Sequence, residues 1–159
     1  MTESFLTVLL FLLLAIWVGG MFGFGALYAP VLFREVASRD QAGQIAGQTL
    51  ARIDTLGLIA GGVVTLIALL QAFATAAPLD VVRVVIALGM VVLVGYSTAV
   101  VRSRLNAIRA EMGKPIDQFE ETDPKRVEYN RYHKLSTRIY GIVLFLGIAL
   151  IVLSALRVG

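Results

Sequence analysis

No cysteine occurs in the 159 residues, so disulfides, thiolate metal sites and thiol nucleophiles are excluded. Histidine occurs once, at His133, and the methionines are few and scattered. That is too poor a ligand set for a dedicated copper or zinc site, and one chain cannot offer two histidines to a haem. Charge is sparse, at 16% of residues against 58% hydrophobic, well outside the usual soluble range. No Asp or Glu falls deep within an apolar run. This argues against a carboxylate proton relay or a midplane cation site. A Ser-His-Asp order, a glycine-rich phosphate loop and an HExxH sequence are likewise missing.

What the chain does have is four long apolar stretches, at about 5–33, 55–74, 81–101 and 139–156. Each is long enough to cross a bilayer. The first has neither the basic n-region nor the shorter apolar core of a signal peptide, so it reads as a retained span. At about 1.5 Å per residue it would be about 43 Å long, more than the ~30 Å hydrocarbon core requires. It is therefore expected to tilt, or to bend near Gly19-Gly20 or before Pro30. The expectation is an all-α, integral membrane four-helix bundle forming one transmembrane domain over 1–159.

The two connections on one side differ in kind. Residues 34–54 carry Gly43-x-x-x-Gly47 with apolar Ile45, Leu50 and Ile53, which suggests an amphipathic helix feeding the second span. Residues 102–138 hold nine basic and six acidic side chains. Leu105, Ile108 and Met112 recur at helical spacing there, so the third helix should continue to about Met112 and stop at Gly113-Lys114-Pro115. Asp123 is a candidate N-cap with Pro124 at the first helical position, restarting a helix that runs unbroken into the fourth span. Helices three and four thus extend into a cytoplasmic helical hairpin.

Twelve of the 14 Lys and Arg residues lie in those two connections, and the other side has only Arg83 and Arg157. The positive-inside rule places the basic side in the cytoplasm of a cell (inner) membrane protein, with both termini outside. The expected partner of these charges is an anionic headgroup layer, not nucleic acid.

Projected at 100° per residue, the first span separates two stripes. Ala15, Gly19, Gly23, Ala26 and Pro30 fall on one arc; Trp17, Met21, Phe24 and Tyr28 fall on the other. Small residues let helices approach closely in lipid, so Gly19, Gly23, Ala26, Gly43 and Gly47 are expected at helix-packing positions, within the bundle or at a homodimer seam. Trp17 sits near the middle of its span, where its indole N–H wants a partner. It reads as the wall of a ligand cavity or as an aromatic filling space between helices. His133, Ser136, Thr137 and Tyr140 share one side of the fourth helix, and Tyr96, Arg102, Arg52 and Asp54 lie at the same level. Such a crown could bind an anionic headgroup, a phosphate or a carboxylate; it could equally be helix-end solvation with snorkelling arginines.

Trp17-Val18-Gly19-Gly20, Ala29-Pro30-x-x-Phe33, Ala42-Gly43 and His133-x-x-Ser136 resemble, over nearly the whole chain, the transmembrane-protein-205-like family of four-helix membrane proteins, whose function is largely unassigned. The layout is more distantly similar to the copper-resistance D-type proteins and the four-helix protoporphyrinogen oxidases, which bind haem. The chain departs from both, with no histidine in its first three spans and no Met and His richness. The resemblance marks Trp17, Gly19, Gly20, Pro30, Gly43, His133 and Ser136 as positions to follow.

Three readings follow. The first is a non-enzymatic bundle acting through self-association or as an accessory subunit of a larger membrane assembly, with no cofactor, catalytic residue or metal ligand. The second is a carrier of a small solute or amphiphile, its cavity walled by Trp17, Tyr28, Tyr96 and Tyr140 and gated by Arg102, His133 and Ser136. The third is a membrane oxidoreductase holding haem through His133.

Overall fold

The computed structural model describes residues 2–157, all but the connections of which are helical. Four helical rods, Glu3–Glu35, Arg39–Thr75, Pro78–Met112 and Pro124–Leu156, are each long and apolar enough to cross a membrane. The first comprises α1 (Thr2–Gly23) and α2 (Ala29–Glu35); the second is α3 (Arg39–Thr75). The third joins α4 (Pro78–Tyr96) to α5 (Ser103–Met112), and the fourth is α6 (Pro124–Leu156). Each rod packs against its neighbours in sequence, and α6 closes the ring against α1. This is an up-down-up-down four-helix membrane bundle.

The helix ends follow local chemistry. Ser38 caps α3, its hydroxyl accepting from the Gln41 N–H at 3.3 Å. Pro78 starts α4 and Pro124 starts α6, where a missing N–H costs nothing. The Asp123 carboxylate accepts from the N–H groups of Lys125 and Arg126 at 2.8 and 3.4 Å. α5 ends at Gly113, whose φ of +63° is left-handed backbone suited to glycine. The polar part of α6 runs to Arg138 and its apolar part begins at Ile139, so α5 and the start of α6 form the hairpin.

Two rods widen into single π turns, at Phe24–Tyr28 and Ser97–Arg102. The first has a visible cause. Pro30 has no N–H and its ring would press on the Ala26 carbonyl of a regular α-helix, so the chain widens in the turn before it. Of the two places where a bend is expected, Gly19-Gly20 lies in regular α-helix and the π turn lies just before Pro30.

The core is built from one stripe of α1, comprising Leu10, Leu14, Trp17, Val18 and Met21, against Val64, Met90, Val143 and Leu150. Gly57 and Gly61 of α3, one turn apart, form a notch that receives the Trp17 indole. A Cβ on Gly57 would overlap the ring, and one on Gly61 would lie 2.7 Å from Trp17 Cζ3. Trp17 thus fills space between helices rather than lining a cavity.

The stripe assignment needs correcting. Gly19 and Ala26 are exposed, and an added Cβ at Gly19 or Gly23 would meet nothing within 4 Å. Among the described residues nothing packs against Gly19 or Gly23; the bulky face goes inward because α3 supplies the glycines.

The expectation that the spans bury no charge is also corrected, at the end of the bundle that holds the chain termini. Asp80 and Arg83 are each only 1% exposed. Asp80 accepts from Arg83 Nη1 at 2.7 Å, Arg157 Nε at 2.9 Å and the Thr75 hydroxyl at 2.6 Å, while Arg83 Nε donates to the Ser154 hydroxyl at 3.1 Å. One carboxylate therefore ties α3, α4 and the end of the fourth rod together. Both residues lie in the first two turns of α4, so they are shallow in sequence yet covered by neighbours.

Candidate ligand cleft at the basic end

At the opposite, basic end residues of all four rods line a cleft of about 650 Å³. The first rod contributes Phe24, Gly25, Ala29 and Phe33, which are wholly apolar, and α3 contributes a face from Gly43 to Ala51. The third rod adds Arg102, Leu105, Asn106 and Arg109. The fourth adds Tyr129, His133, Ser136, Thr137 and Tyr140.

Both π turns border this cleft, the first through Phe24 and Gly25 and the second through Arg102. Such turns are common at functional sites because they re-aim side chains. The Tyr140 hydroxyl donates to the Met21 carbonyl just before the first π turn, where the helical hydrogen-bond register shifts. A Cβ on Gly25 would lie 3.1 Å from that hydroxyl, so Tyr140 seats against bare backbone.

Gly43 and Gly47 sit one turn apart on α3, and an added Cβ would meet only Arg109 Nη2 at 3.5 Å from Gly43 and nothing within 4 Å from Gly47. Their assignment to helix packing is therefore corrected: their missing side chains leave the cleft open.

The charges are held from behind. Arg102 pairs through Nη2 with the buried Asp54 of α3. Arg109 Nη2 lies 3.2 Å from Asp40 and 3.1 Å from the Tyr129 hydroxyl, and the guanidinium stands 5.4 Å from the Tyr129 ring centroid. Tyr129 in turn stacks on His133, with centroids 6.1 Å apart and planes within 6°. Tyr129 covers one face of the otherwise exposed imidazole. Burial, with the Arg109 charge, holds His133 below its ordinary pKa. A smaller void of about 10 Å³, room for about one water, lies beside the cleft and shares Leu50, Ser136 and Tyr140 with it.

Four of the seven ligand-binding residues expected from sequence, Arg102, His133, Ser136 and Tyr140, come together here. Three do not. Trp17 is buried in the notch of α3, and Tyr28 and Tyr96 are 41% and 46% exposed, so they face outward rather than into a cavity. The cavity expected between Trp17 and Tyr140 is displaced toward the basic end because Met21, Ile139 and Val143 fill the layer around Tyr140. Sequence reasoning missed Arg109, Tyr129 and the cleft-lining role of Gly43 and Gly47. The available signals were Arg102 and Arg109 seven residues apart on one rod, and Tyr129 and His133 four apart on another.

The family profile described as a domain of unknown function, DUF4149, matches residues 12–114. The chain belongs to the DUF4149 family. The DUF4149 match covers most of the first rod, all of α3 and the third rod to its end at Met112, and so includes three of the four walls of the cleft. Neither a curated protein nor a solved structure matches the chain.

Proposed function

We propose that this protein is a non-enzymatic amphiphile-binding membrane protein, holding its ligand in the cleft at the basic end. One observation carries the reading: the first rod lines the cleft with apolar groups alone, while the third and fourth rods line it mainly with polar and cationic ones. A ligand with an apolar tail and a polar head matches that division. The positive-inside rule supports a location of this end at the cytoplasmic face of a cell (inner) membrane, with both termini on the far side. The sequence motifs support a place near the transmembrane-protein-205-like proteins, on Trp17 to Gly20, Pro30 and His133-x-x-Ser136.

Gly47→Leu tests the reading. The site is open, so the variant should fold and melt like the parent while its side chain occupies the cleft. Binding of a dodecyl-chain amphiphile, measured by native mass spectrometry from a polyoxyethylene detergent, should fall by about tenfold or more. Undiminished binding by a folded Gly47→Leu variant would overturn the proposal.

Self-association along the first rod is a second reading, supported by the outward small stripe at Ala15, Gly19, Gly23 and Ala26. Here the pair Gly19→Leu and Gly23→Leu should convert an oligomer to a monomer on light-scattering chromatography. A parent protein that is already monomeric removes the seam.

A further inference from the structure

Both charged side chains in the cleft lining are cationic, each tied to a carboxylate just outside that lining, and this says which head the ligand carries. Among the described residues Arg102 and Arg109 are the only charged ones in the lining, and no carboxylate lines it. Asp54 and Asp40 hold the two guanidinium groups through Nη2 alone; among the described residues no other acidic partner engages either fork. Arg109 Nε is buried with no hydrogen-bond partner. That nitrogen has no exposed surface and is out of a ligand's reach; Arg109 meets the cleft through the rest of its side chain, which is 24% exposed.

The two arginines lie seven residues, about 10 Å, apart on one helical rod and open into one cleft. A carboxylate offers two oxygens and is matched by a single guanidinium fork. A phosphate monoester offers three and can be shared between two. A quaternary ammonium head finds no carboxylate here, and the Tyr129 ring that could receive it is already covered by Arg109. We infer that the cleft binds an acidic amphiphile with a phosphate-monoester head, the phosphate between Arg102 and Arg109 and the tail along Phe24 and Phe33. The inference rests on the amphiphile reading above. Asp40 and Asp54 then compete with the head for the same guanidinium groups.

Native mass spectrometry from the same neutral detergent, with dioctanoyl phosphatidic acid, dioctanoyl phosphatidylcholine, dioctanoylglycerol and inorganic phosphate as probes, tests it. Phosphatidic acid should bind at least about tenfold tighter than either other lipid, because charge-assisted hydrogen bonds are the strong ones. Arg109→Gln should abolish that preference, while Arg104→Gln, on the hairpin outside the cleft, should leave it intact. Asp40→Asn frees Arg109 and should tighten phosphatidic acid binding, a gain that misfolding cannot imitate.

Equal binding of the three lipids overturns the phosphate assignment and leaves the amphiphile reading standing. Binding of none overturns both. Inorganic phosphate binding as tightly as phosphatidic acid supports an anion site but removes the tail, and with it the amphiphile reading. A preference that survives Arg109→Gln, or an unchanged affinity in Asp40→Asn, overturns the placement of the head.

Discussion

Gly61→Ala is expected to destabilise the bundle by about 1–3 kcal/mol, a large effect for one added methyl group. The new Cβ would lie 2.7 Å from both Trp17 Cζ3 and Val91 Cγ2. Neither neighbour yields easily, since the indole is rigid and valine is stiff at χ1. Gly57→Ala should do the same, because its Cβ would overlap the pyrrole side of the same ring. Emptying the notch from the other side, Trp17→Ala, should cost about 3–5 kcal/mol through lost contacts and a residual cavity. In lipid there is no hydrophobic drive between helices, so close packing of this kind carries the association. The diagnostic is coupling. In a sodium dodecyl sulfate unfolding titration, Trp17→Phe combined with Gly61→Ala should be more stable than the two single effects summed. Strict additivity would show that the ring and the glycine do not meet.

Asp80→Ala should be at least as damaging, at about 3–5 kcal/mol, because it strands two guanidinium groups that share this carboxylate. Arg83→Leu should cost less, since Asp80 keeps Arg157 and the Thr75 hydroxyl. Removing both partners in Asp80→Ala with Arg83→Leu should recover part of the loss, as replacing a whole buried pair with apolar groups often does. The order expected from thermal melts is therefore Asp80→Ala lowest, the double variant between, and the parent highest. An Asp80→Ala protein that melts with the parent would mean the cluster is solvated rather than buried.

These two sites show what the sequence could and could not convey. The four apolar stretches, the Gly113 stop and the Asp123-Pro124 restart are local signals, and each reappears at its expected place. The inward face of the first rod was not legible. In water an amphipathic helix declares its buried side by contrast with a polar one; here both stripes are apolar, and the choice is made by Gly57 and Gly61 on another helix. Asp80 and Arg83 lie next to a turn, and only Ser154 and Arg157, more than 70 residues away, reveal that they are enclosed.

The cleft was half legible for the same reason. Arg102, His133, Ser136 and Tyr140 could be placed at one level by counting along rods. The bare faces of Gly43 and Gly47 depend on what the other rods place opposite them, and the π turn at Ser97–Arg102 has no proline after it to announce it. A glycine pair spaced four apart reads as a packing motif until the facing helix is seen to stand away from it.

The central claim is that the basic end holds the apolar part of an amphiphile among Phe24, Phe33 and Leu50. A single-chain amphiphile with a diazirine in its tail, photolysed on the purified protein and mapped by peptide mass spectrometry, tests it most directly. Label concentrated on the peptides carrying Phe24 to Phe33 and Leu50, and lost in Gly47→Leu, is the predicted result. Label spread along the lipid-facing residues of α1 and unchanged by Gly47→Leu would contradict it.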